Sequence, residues 1–518
     1  MSSAPNTPAP TIIDPIDLST PSPVPIELRE DLGRLFRQYD IRGVTALDHQ
    51  ETRLDTWPAT VDLTPHLAYA LGCAYASELH DELNGEIDEA WVAVGYDARL
   101  SGPELLSALE AGLRRGGVNV IRLGLVPTPL VYFATHTLNE EPRGCHGGLM
   151  VTGSHNPSQW NGFKLSLGTH SIYGERLQRL ARRILSADYR EVSRVTQVID
   201  IDLSERYIST LHSRLEWGAK PLAELKVVID TGHGASGPLA ERFFTSLGAQ
   251  VRGLYLEPDG HFPAHHPDPT VEANLSDLKE AVRTWGADVG LGFDGDGDRL
   301  GVVDREGEVI WGDQLLLLFA QRILKERPNA RIIGEVKCSQ ILYDGVREAG
   351  GIAEMWRVGH SLIKARMRAT QSPLAGEMSG HIFFADRFFG YDDAIYAGAR
   401  LLERLTETDF DLARWRKALP STVTTPELRV WCADQDKASV ISRVVEHFSS
   451  IYEVNDIDGA RVTFPGGWGL VRASNTQPVL VMRFEADDTQ RINDIRQEVE
   501  MWLKTHAPEV RFDIDPDH

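Results

Sequence analysis

Apolar residues along this chain fall into short runs that alternate with polar turns and amphipathic stretches. The first clear run is WVAV at 91–94, a predicted strand, followed by the polar turn GYDARLSG and by helical spacing of apolar residues over 103–115. Gly116-Gly117 then ends the helix, and VNVIRL begins another strand. A glycine directly after a helix commonly adopts the left-handed conformation that closes it. This order of strand, turn, helix, glycine and strand predicts a βαβ-type unit.

The same pattern occurs twice more along the chain. The strand LKVVID (225–230) precedes a helix that ends near Leu247 and Gly248. The strand ARIIGEV (330–336) precedes a helix over 339–349, which two further glycines follow. Repetition of one unit predicts three related α/β domains in series.

The last hundred residues have a different pattern. ELRVWCA precedes helical spacing over 436–448, and the apolar runs that follow are separated by Asp458-Gly459, a typical hairpin turn. A final helix is predicted from near Thr489. This pattern indicates an α+β unit with an antiparallel sheet. We therefore predict a flexible tail over 1–30 and four domains, over 31–200, 201–308, 309–420 and 421–518.

Composition limits the class of ligand. The chain has 518 residues, 42% of them hydrophobic and 25% charged, which is enough apolar material for several cores. The formal charge of −22 argues against binding to nucleic acid or to an anionic membrane surface. An anionic small molecule would bind only where cationic groups gather locally, so lysines and arginines within a cleft become more informative.

The sequence shows no clear signal for secretion or for membrane insertion. The four cysteines form no CxxC pair, which favours a reducing compartment over a disulfide framework. No apolar run approaches the roughly 20 residues that span a bilayer, and the first thirty residues lack the features of a secretory signal. We expect a cytoplasmic monomer.

The segment FDGDGDR (293–299) carries the strongest local signal. Asp294, Asp296 and Asp298 alternate with glycines, so three carboxylates can converge on a hard cation such as Mg²⁺ or Ca²⁺. An EF-hand loop does not fit, because its sixth position would be Arg299 rather than glycine. A solvated acidic turn stays an alternative, although nothing in such a turn would hold three carboxylates together. A phosphate oxygen would suit the open positions on the ion, and Arg299 could neutralise that phosphate.

Ser154 lies in TGSHNP (152–157), a segment with three interpretations. Its residues are all compatible with a surface turn. A hydrolase nucleophile is disfavoured because GxSxG is absent. A phosphorylatable serine would need a metal and cationic partners. The metal loop that lacks a ligand favours this third interpretation.

Two further loops indicate ligand binding, each less strongly. GEMSGH (376–381) places carboxylate, hydroxyl and imidazole groups between glycines, as sugar hydroxyls require, although a polar turn is about equally compatible. VRASNTQP (471–478) sets Arg472 beside hydroxyl residues, a plausible phosphate site. Arg42, Lys164, Lys337 and His360 are scattered cationic candidates.

These segments, in this order, resemble the α-D-phosphohexomutase superfamily, and most closely its bacterial phosphomannomutase/phosphoglucomutase branch. The resemblance extends from about Phe36 to the final helix. It implies an α/β protein in which three similar α/β/α domains with mixed sheets and a C-terminal α+β domain with an antiparallel sheet surround a central cleft.

The resemblance also implies a role for each loop. Ser154 carries the phosphoryl group and joins the three aspartates in binding one Mg²⁺ ion. The implied catalytic residues are Ser154, His155, Lys164, Arg42, Arg299 and His381. The implied substrate-binding residues are Tyr39, Lys337, His360, Glu377, Met378, Ser379, Gly380, His381, Arg472, Ala473, Ser474, Asn475 and Thr476.

The implied reaction is reversible phosphoryl transfer between C1 and C6 of mannose or glucose phosphate. It passes through phosphoserine and a hexose 1,6-bisphosphate, which also acts as activator. Lys164, His381 and Arg42 are candidates to accept the hydroxyl proton, and Arg42 ranks last because guanidinium rarely gives up its proton. The alternatives are a phosphoglucosamine mutase and, more remotely, a non-catalytic metal- or phosphosugar-binding protein of the same fold.

Overall fold

The computed structural model describes residues 32–33, 35–45, 62–85, 90–139, 141, 143–474 and 477–512. These residues form four sheets that follow one another along the chain. The predicted tail over 1–30 lies outside the described residues. Among the described helices, none combines the length and the apolar character that a bilayer crossing requires.

The first sheet has seven strands in the order β1-β5-β4-β2-β3-β7, with β6 paired to β5. Both parallel and antiparallel pairs occur, for example β2 with β4 and β4 with β5. The strands are β1 (Ile41–Val44), β2 (Trp91–Tyr96), β3 (Asn119–Leu125), β4 (Gly147–Val151), β5 (Trp160–Leu167), β6 (His170–Ser171) and β7 (Val198–Asp200). The helices are α1 (Pro65–Glu82), α2 (Gly102–Arg115), α3 (Thr128–Thr137), α4 (Glu175–Ser186) and α5 (Ser204–Ser213).

The second sheet has five strands in the order β12-β11-β10-β8-β9. Strands β10 and β11 form an antiparallel hairpin beside parallel neighbours, so this sheet is also mixed. Its elements are β8 (Lys226–Asp230), α6 (Gly237–Ser246), β9 (Gln250–Leu254), α7 (Ser276–Trp285), β10 (Val289–Phe293), β11 (Leu300–Asp304) and β12 (Val309–Ile310).

The third sheet has four strands in the order β14-β13-β15-β16, again mixed. The strands are β13 (Arg331–Glu335), β14 (Ile352–Trp356), β15 (Leu374–Gly376) and β16 (Ile382–Phe384). The helices are α8 (Gly312–Glu326), α9 (Gln340–Glu348), α10 (His360–Thr370), α11 (Ala394–Leu405) and α12 (Leu412–Lys417).

The fourth sheet is antiparallel throughout its described pairs. Its strands are β17 (Val423–Thr424), β18 (Leu428–Trp431), β19 (Glu453–Asn455), β20 (Ala460–Phe464), β21 (Gly467–Ala473) and β22 (Val479–Ala486). Two helices accompany them, α13 (Asp434–Ser449) and α14 (Thr489–His506). The predicted α+β unit is confirmed.

The three predicted repeats are present, and each helix stops where a glycine takes a positive φ. These glycines are Gly117, Gly248 and Gly350, with φ of 82°, 87° and 80°. The hydrophobic pattern did not indicate α1 or α3, because both helices are buried on most of their surface and lack a polar stripe.

The buried apolar residues form a large cluster in the first three domains and a separate, smaller one in the fourth. One large cluster runs from the first sheet through the second into the third, while the C-terminal sheet has its own core with α13 and α14. A smaller cluster of Val336, Val358, Trp468 and Leu470 joins the third domain to the fourth. The first three domains therefore form one packed body against which the fourth rests.

Candidate active site

Loops from the first three sheets meet at strand ends. The segment containing Ser154 follows β4, the aspartate loop joins β10 to β11, and the segment 376–381 joins β15 to β16. Hydrogen bonds link them directly, from Ser154 to Asp294 and from Arg299 to His381. Residues far apart in sequence thus share one cleft.

Ser154 is buried, with 1% of its surface exposed, and its hydroxyl faces the aspartate loop. Its Oγ donates to Asp294 Oδ2 at 3.0 Å and lies 3.2 Å from His155 Nδ1. Burial lowers the pKa of His155 well below its usual range, so this imidazole is neutral. The Ser154 backbone has φ of 52°, which a residue other than glycine rarely adopts. A strained conformation of this kind persists only where the surroundings enforce it.

Arg99 enforces the conformation of the serine loop. This guanidinium is almost fully buried and lies in the turn GYDARLSG, which the sequence indicated only as a turn. It donates hydrogen bonds to four backbone carbonyls of the loop, at distances from 2.5 to 2.8 Å, namely those of Ser154, Asn156, Pro157 and Trp160.

Asp97 supports the same loop from the other side. Its Oδ2 accepts from Thr152 Oγ1 at 2.7 Å and from the Gly153 N–H at 3.2 Å, and it pairs with Arg99. Spacing in the sequence gave no signal for Asp97 or Arg99, because their partners lie more than fifty positions away.

The three aspartates of the loop 294–298 are fully buried and lie close together. One carboxylate oxygen from each falls within 4.8 Å of the others. Oδ1 of Asp296 and Oδ1 of Asp298 have no hydrogen-bond partner among the described residues. Burial and the two neighbouring carboxylates raise the pKa of Asp294 well above its usual range. Unpartnered, buried and mutually repelling carboxylate oxygens fit a divalent cation bound by oxygen ligands.

Lys164 also contacts this loop. Its Nζ donates to Asp296 Oδ2 at 2.7 Å and to Asp298 Oδ2. Burial alone would lower the pKa of Lys164, but the two carboxylates raise it above its usual range. Thr128 Oγ1 donates to the same Asp296 oxygen at 2.5 Å. Lys164 is therefore an ammonium that orients two aspartates through their Oδ2 atoms.

His381 and Arg299 connect the aspartate loop to the third domain. Arg299 Nε donates to His381 Nε2 at 2.9 Å and lies 4.0 Å from Asp294. On the other side of the ring, His381 Nδ1 is 3.1 Å from Asp392 Oδ2 and 3.5 Å from Asp298 Oδ1. The arginine contact requires an unprotonated Nε2, which places the proton of the neutral ring on Nδ1, toward the two carboxylates.

The segment 376–381 turns Glu377 into the cleft. Glu377 Oε1 accepts from the Gly359 N–H at 2.7 Å, and Oε2 accepts from Ser379 Oγ at 3.3 Å. Burial raises the pKa of Glu377, but the Lys337 ammonium and the hydrogen bond from the Gly359 N–H lower it by more, so the net shift of the pKa is downward. Gly380 has φ of 90°, which returns the chain to β16. The structure thus brings together the carboxylate and hydroxyl predicted to bind a sugar.

Tyr39, Arg42 and His360 meet around Asp40. Arg42 donates to Asp40 Oδ2 at 2.9 Å, and His360 Nε2 lies 3.1 Å from Asp40 Oδ1. The Tyr39 ring packs edge-on against His360 at 5.5 Å. Burial would raise the pKa of Asp40, but His360 and Arg42 hold it below its usual range. Arg42 and His360 therefore reach the cleft joined through the Asp40 carboxylate.

Two predicted substrate-binding cations lie between the third and fourth domains, each beside a carboxylate. Lys337 Nζ donates to Glu427 Oε1 at 2.7 Å. Arg472 Nη2 lies 3.1 Å from Asp458 Oδ2, which also accepts from the Val358 N–H.

The remaining predicted residues of the fourth domain have mixed outcomes. Ala473 ends β21, and the carbonyl of the buried Ser474 accepts from Lys437 Nζ at 2.7 Å. Asn475 and Thr476 lie outside the described residues.

Comparison with protein families matches the four domains in order. The matches are to the phosphoglucomutase/phosphomannomutase alpha/beta/alpha domain I over residues 33–191, domain II over 205–307, domain III over 311–423 and the C-terminal domain over 427–501. The chain belongs to the phosphoglucomutase/phosphomannomutase family. The family resemblance of the sequence is confirmed, while the domain bounds predicted from the hydrophobic pattern stay a prediction.

Relatives within the phosphoglucomutase/phosphomannomutase family cover most of the chain. A phosphomannomutase/phosphoglucomutase of Pseudomonas putida is 43% identical over 89% of this chain and 94% of its own. A phosphoglucomutase of Neisseria gonorrhoeae is 40% identical over 89% and 95%. The crystal structure of a phosphoglucomutase/phosphomannomutase family protein from Burkholderia thailandensis matches with a TM-score of 0.80 and 40% identity, covering 92% and 98%.

Proposed function

We propose that this chain is a phosphohexomutase that moves a phosphoryl group reversibly between C1 and C6 of mannose and glucose phosphates. The observation that carries the proposal is the Ser154 hydroxyl, buried 3.0 Å from the aspartate cluster. The names of the relatives at 40–43% identity support these two sugars over glucosamine phosphate.

Mg²⁺ is the proposed metal, held by Asp294, Asp296, Asp298 and the phosphate of Ser154. An all-oxygen donor set suits this hard cation, and Oδ1 of Asp296 and Oδ1 of Asp298, which accept no hydrogen bond from the described residues, support it. When bound, Mg²⁺ offsets negative charge on the transferring phosphoryl group. The activator proposed from the resemblance is a hexose 1,6-bisphosphate.

Each half of the reaction exchanges one P–O bond for another. The free hydroxyl oxygen of the sugar phosphate attacks the phosphorus of phospho-Ser154, and the bond from phosphorus to Oγ breaks. The hydroxyl proton leaves the sugar and returns to Oγ, so no net proton is released. The bisphosphate then turns within the cleft, and Oγ takes up its other phosphate by the reverse steps. Arg299 and Arg42 balance charge on the oxygens of the transferring group.

Among the three candidates to accept the proton, His381 has the most suitable contacts. Lys164 is an ammonium bound by two carboxylates, and Arg42 is a guanidinium bound to Asp40, so neither has a free electron pair. His381 Nε2 keeps its lone pair, at present directed to Arg299. When Arg299 turns to donate to the substrate phosphate, His381 Nε2 becomes free to accept the proton of the sugar hydroxyl.

Glu377 and Ser379 are proposed to bind two adjacent sugar hydroxyls, with Met378 and Gly380 shaping the loop between them. Tyr39 and His360 line the cleft. Lys337 and Arg472, with Ala473, Ser474, Asn475 and Thr476, are proposed to hold the phosphate that is not transferred. This arrangement must accept the sugar phosphate in both orientations, because the bisphosphate turns between the two halves of the reaction.

The test of the proposal is replacement of the proposed phosphoryl carrier. Ser154→Ala should abolish mutase activity on glucose 1-phosphate and mannose 1-phosphate, and its intact mass should lack the phosphate of about 80 Da that the wild type carries. The matched control is Ser158→Ala, which removes an exposed hydroxyl from the same loop and should keep both activity and phosphate. Retained activity in Ser154→Ala would refute the mechanism.

We also propose that the enzyme acts as a monomer in the cytoplasm. The four cysteines are buried and unpaired, which supports a reducing compartment.

A further inference from the structure

Glu335 is a buried carboxylate that the sequence did not single out. It ends β13, one of the two inner strands of the third sheet, and is fully buried. Its Oε2 accepts from the Lys337 N–H at 2.6 Å, and its Oε1 accepts from the Met378 N–H at 3.3 Å. Each oxygen therefore holds the backbone of a different loop.

The two loops carry groups proposed to bind the substrate. Lys337 extends toward the fourth domain, and Met378 stands between Glu377 and Ser379. The opposite side of this second loop lies against the start of α8, where a Cβ on Gly312 would come within 2.6 Å of the carbonyls of Glu377 and Met378. The loop is thus confined between the α8 backbone and the Glu335 carboxylate.

We propose that Glu335 is a positioning residue for sugar phosphate binding, which sets the relative position of Lys337 and of the pair Glu377 and Ser379. The inference rests on the proposed function and adds a residue that does not itself touch the substrate. Loss of the carboxylate would leave two backbone N–H groups without acceptors and let the two loops move apart. Binding of the sugar phosphate would then suffer more than phosphoryl transfer from Ser154, whose loop Glu335 does not contact.

Acid would produce the same loss in the wild type. Burial raises the pKa of Glu335 to about 7, with Lys337 lowering it and Glu377 raising it. Protonation turns one Glu335 oxygen from an acceptor into a hydrogen-bond donor. This O–H then faces a backbone N–H, which is also a donor, so one of the two hydrogen bonds is lost. The titratable and charged groups facing Glu335 are Lys337, Glu377, Arg472, Arg461, Cys338 and Tyr343. The positioning role is therefore present above the pH where Glu335 ionises and is lost below it.

The experiment compares wild type with Glu335→Gln on glucose 1-phosphate and mannose 1-phosphate at pH 8 and pH 6. At pH 8 the variant should show KM raised about tenfold, as expected for losing interactions of this kind, with kcat within about threefold of wild type. At pH 6 the KM ratio of variant to wild type should fall toward one, because wild-type Glu335 is then protonated. The ratio cancels titration of the substrate phosphate itself.

The matched control is Glu354→Gln on the neighbouring strand β14, whose carboxylate pairs with Arg331 and Arg366 away from both loops. It should leave both KM values unchanged.

If Glu335→Gln fails to fold, Glu335→Asp is the second variant. It keeps the negative charge but has a side chain one methylene shorter, and the same rise in KM is expected. An unchanged KM at pH 8, or a KM ratio independent of pH, would overturn the inference. Wild type inactive on both sugars would instead defeat the proposed function.

Discussion

At the scale of single residues, Arg99 has the most demanding role in the serine loop. Its guanidinium supplies donors to four carbonyls at once, in directions that a rigid planar fork can meet and a single ammonium cannot. The left-handed backbone of Ser154 depends on these bonds and on the Thr152 hydroxyl, which accepts from the Ser154 N–H at 2.8 Å. The Ser154 hydroxyl is therefore placed by Arg99, a residue to which the proposed reaction gives no direct part.

We predict that Arg99→Lys destabilises the protein by about 2–4 kcal/mol, because buried carbonyls lose their donors. We expect Ser154 to become phosphorylated by a hexose bisphosphate at least about tenfold more slowly, since small misplacements of a reacting group have large effects. Chemical denaturation and the rate of phosphate incorporation measure the two effects. Arg115→Lys is the control, because Arg115 pairs only at the surface with Glu191. Normal incorporation in Arg99→Lys would refute the role of the guanidinium.

The sequence predicts candidate reacting groups, which the structure brings together, but it does not predict their supports. Ser154 and the three aspartates occur in short motifs whose chemistry follows from adjacent residues. Arg99 and Glu335 act on backbone atoms that the fold alone brings near them, across 55 positions between Arg99 and Ser154 and 43 between Glu335 and Met378. Spacing within a motif carries no information about such contacts.

At the scale of elements, the hairpin of β10 and β11 carries the loop of three aspartates proposed to bind the metal. The two strands pair without interruption from Val289 with Asp304 to Phe293 with Leu300, so the connecting residues must turn sharply. Gly297 takes φ of 73° in this turn, and a Cβ on Gly295 would meet the Ser154 carbonyl at 2.5 Å. The glycines between the aspartates thus allow both the turn and the approach of the serine loop.

We predict that Mg²⁺ raises the thermal stability of the wild type, because a ligand at a hundred times its Kd stabilises the folded state by about 2.7 kcal/mol. Asp296→Asn should lose most of this stabilisation and nearly all mutase activity, and EDTA should inactivate the wild type reversibly. Glu308→Gln, an exposed position near the end of the same hairpin, serves as control. The metal assignment would fail if Mg²⁺ shifted the melting curves of wild type and Asp296→Asn equally.

Helices show where the pattern of apolar residues is a sufficient guide and where it is not. α2 and α9 have one buried face and end at glycine, and both were predicted within two residues of their observed ends. α1 crosses α2 so closely that a Cβ on Gly72 would meet the Leu109 carbonyl at 2.2 Å. That contact depends on two segments meeting, and the α1 sequence by itself does not reveal it.

At the scale of the whole molecule, polar contacts join the fourth domain to the third. Arg461 is buried and donates to the carbonyls of Val336 and Cys338 at 2.6 and 2.7 Å, while its guanidinium stacks on Trp468. The Lys337–Glu427 pair lies at the same junction. Residues beside the cleft thus also hold the domains together.

We predict that the Lys337–Glu427 pair makes this junction sensitive to acid. Lys337 lowers the pKa of Glu427 to about 2, below its ordinary value of 4.5. A carboxylate with a lowered pKa contributes stability above the unfolded value, and loses that contribution as pH falls through the folded value. Glu427→Gln should therefore be less stable than wild type at pH 7, by on the order of 2 kcal/mol for a partly exposed pair.

The difference between wild type and Glu427→Gln should shrink between pH 4.5 and pH 2. Urea unfolding at several pH values, followed by the fluorescence of tryptophans, measures it. Arg496, which pairs with Glu500 on the surface of α14, offers a control in Glu500→Gln with little effect at any pH. A gap between wild type and Glu427→Gln that does not change with pH would contradict the assignment.

The pairing of the cleft's cations has a consequence for selectivity. Arg42 holds Asp40, Lys337 holds Glu427 and Arg472 holds Asp458, so an incoming phosphate meets cations that already have carboxylate partners. Phosphate binding would then exchange one ion pair for another. The free energy gained would be only the difference between the cation's interaction with phosphate and its interaction with the carboxylate. A dianionic phosphate, with three oxygens to share, competes in this exchange, whereas an uncharged sugar cannot enter it. In the proposed reaction the carboxylates would re-form their pairs as a phosphate leaves, so neither end of the bisphosphate would be held too tightly to turn.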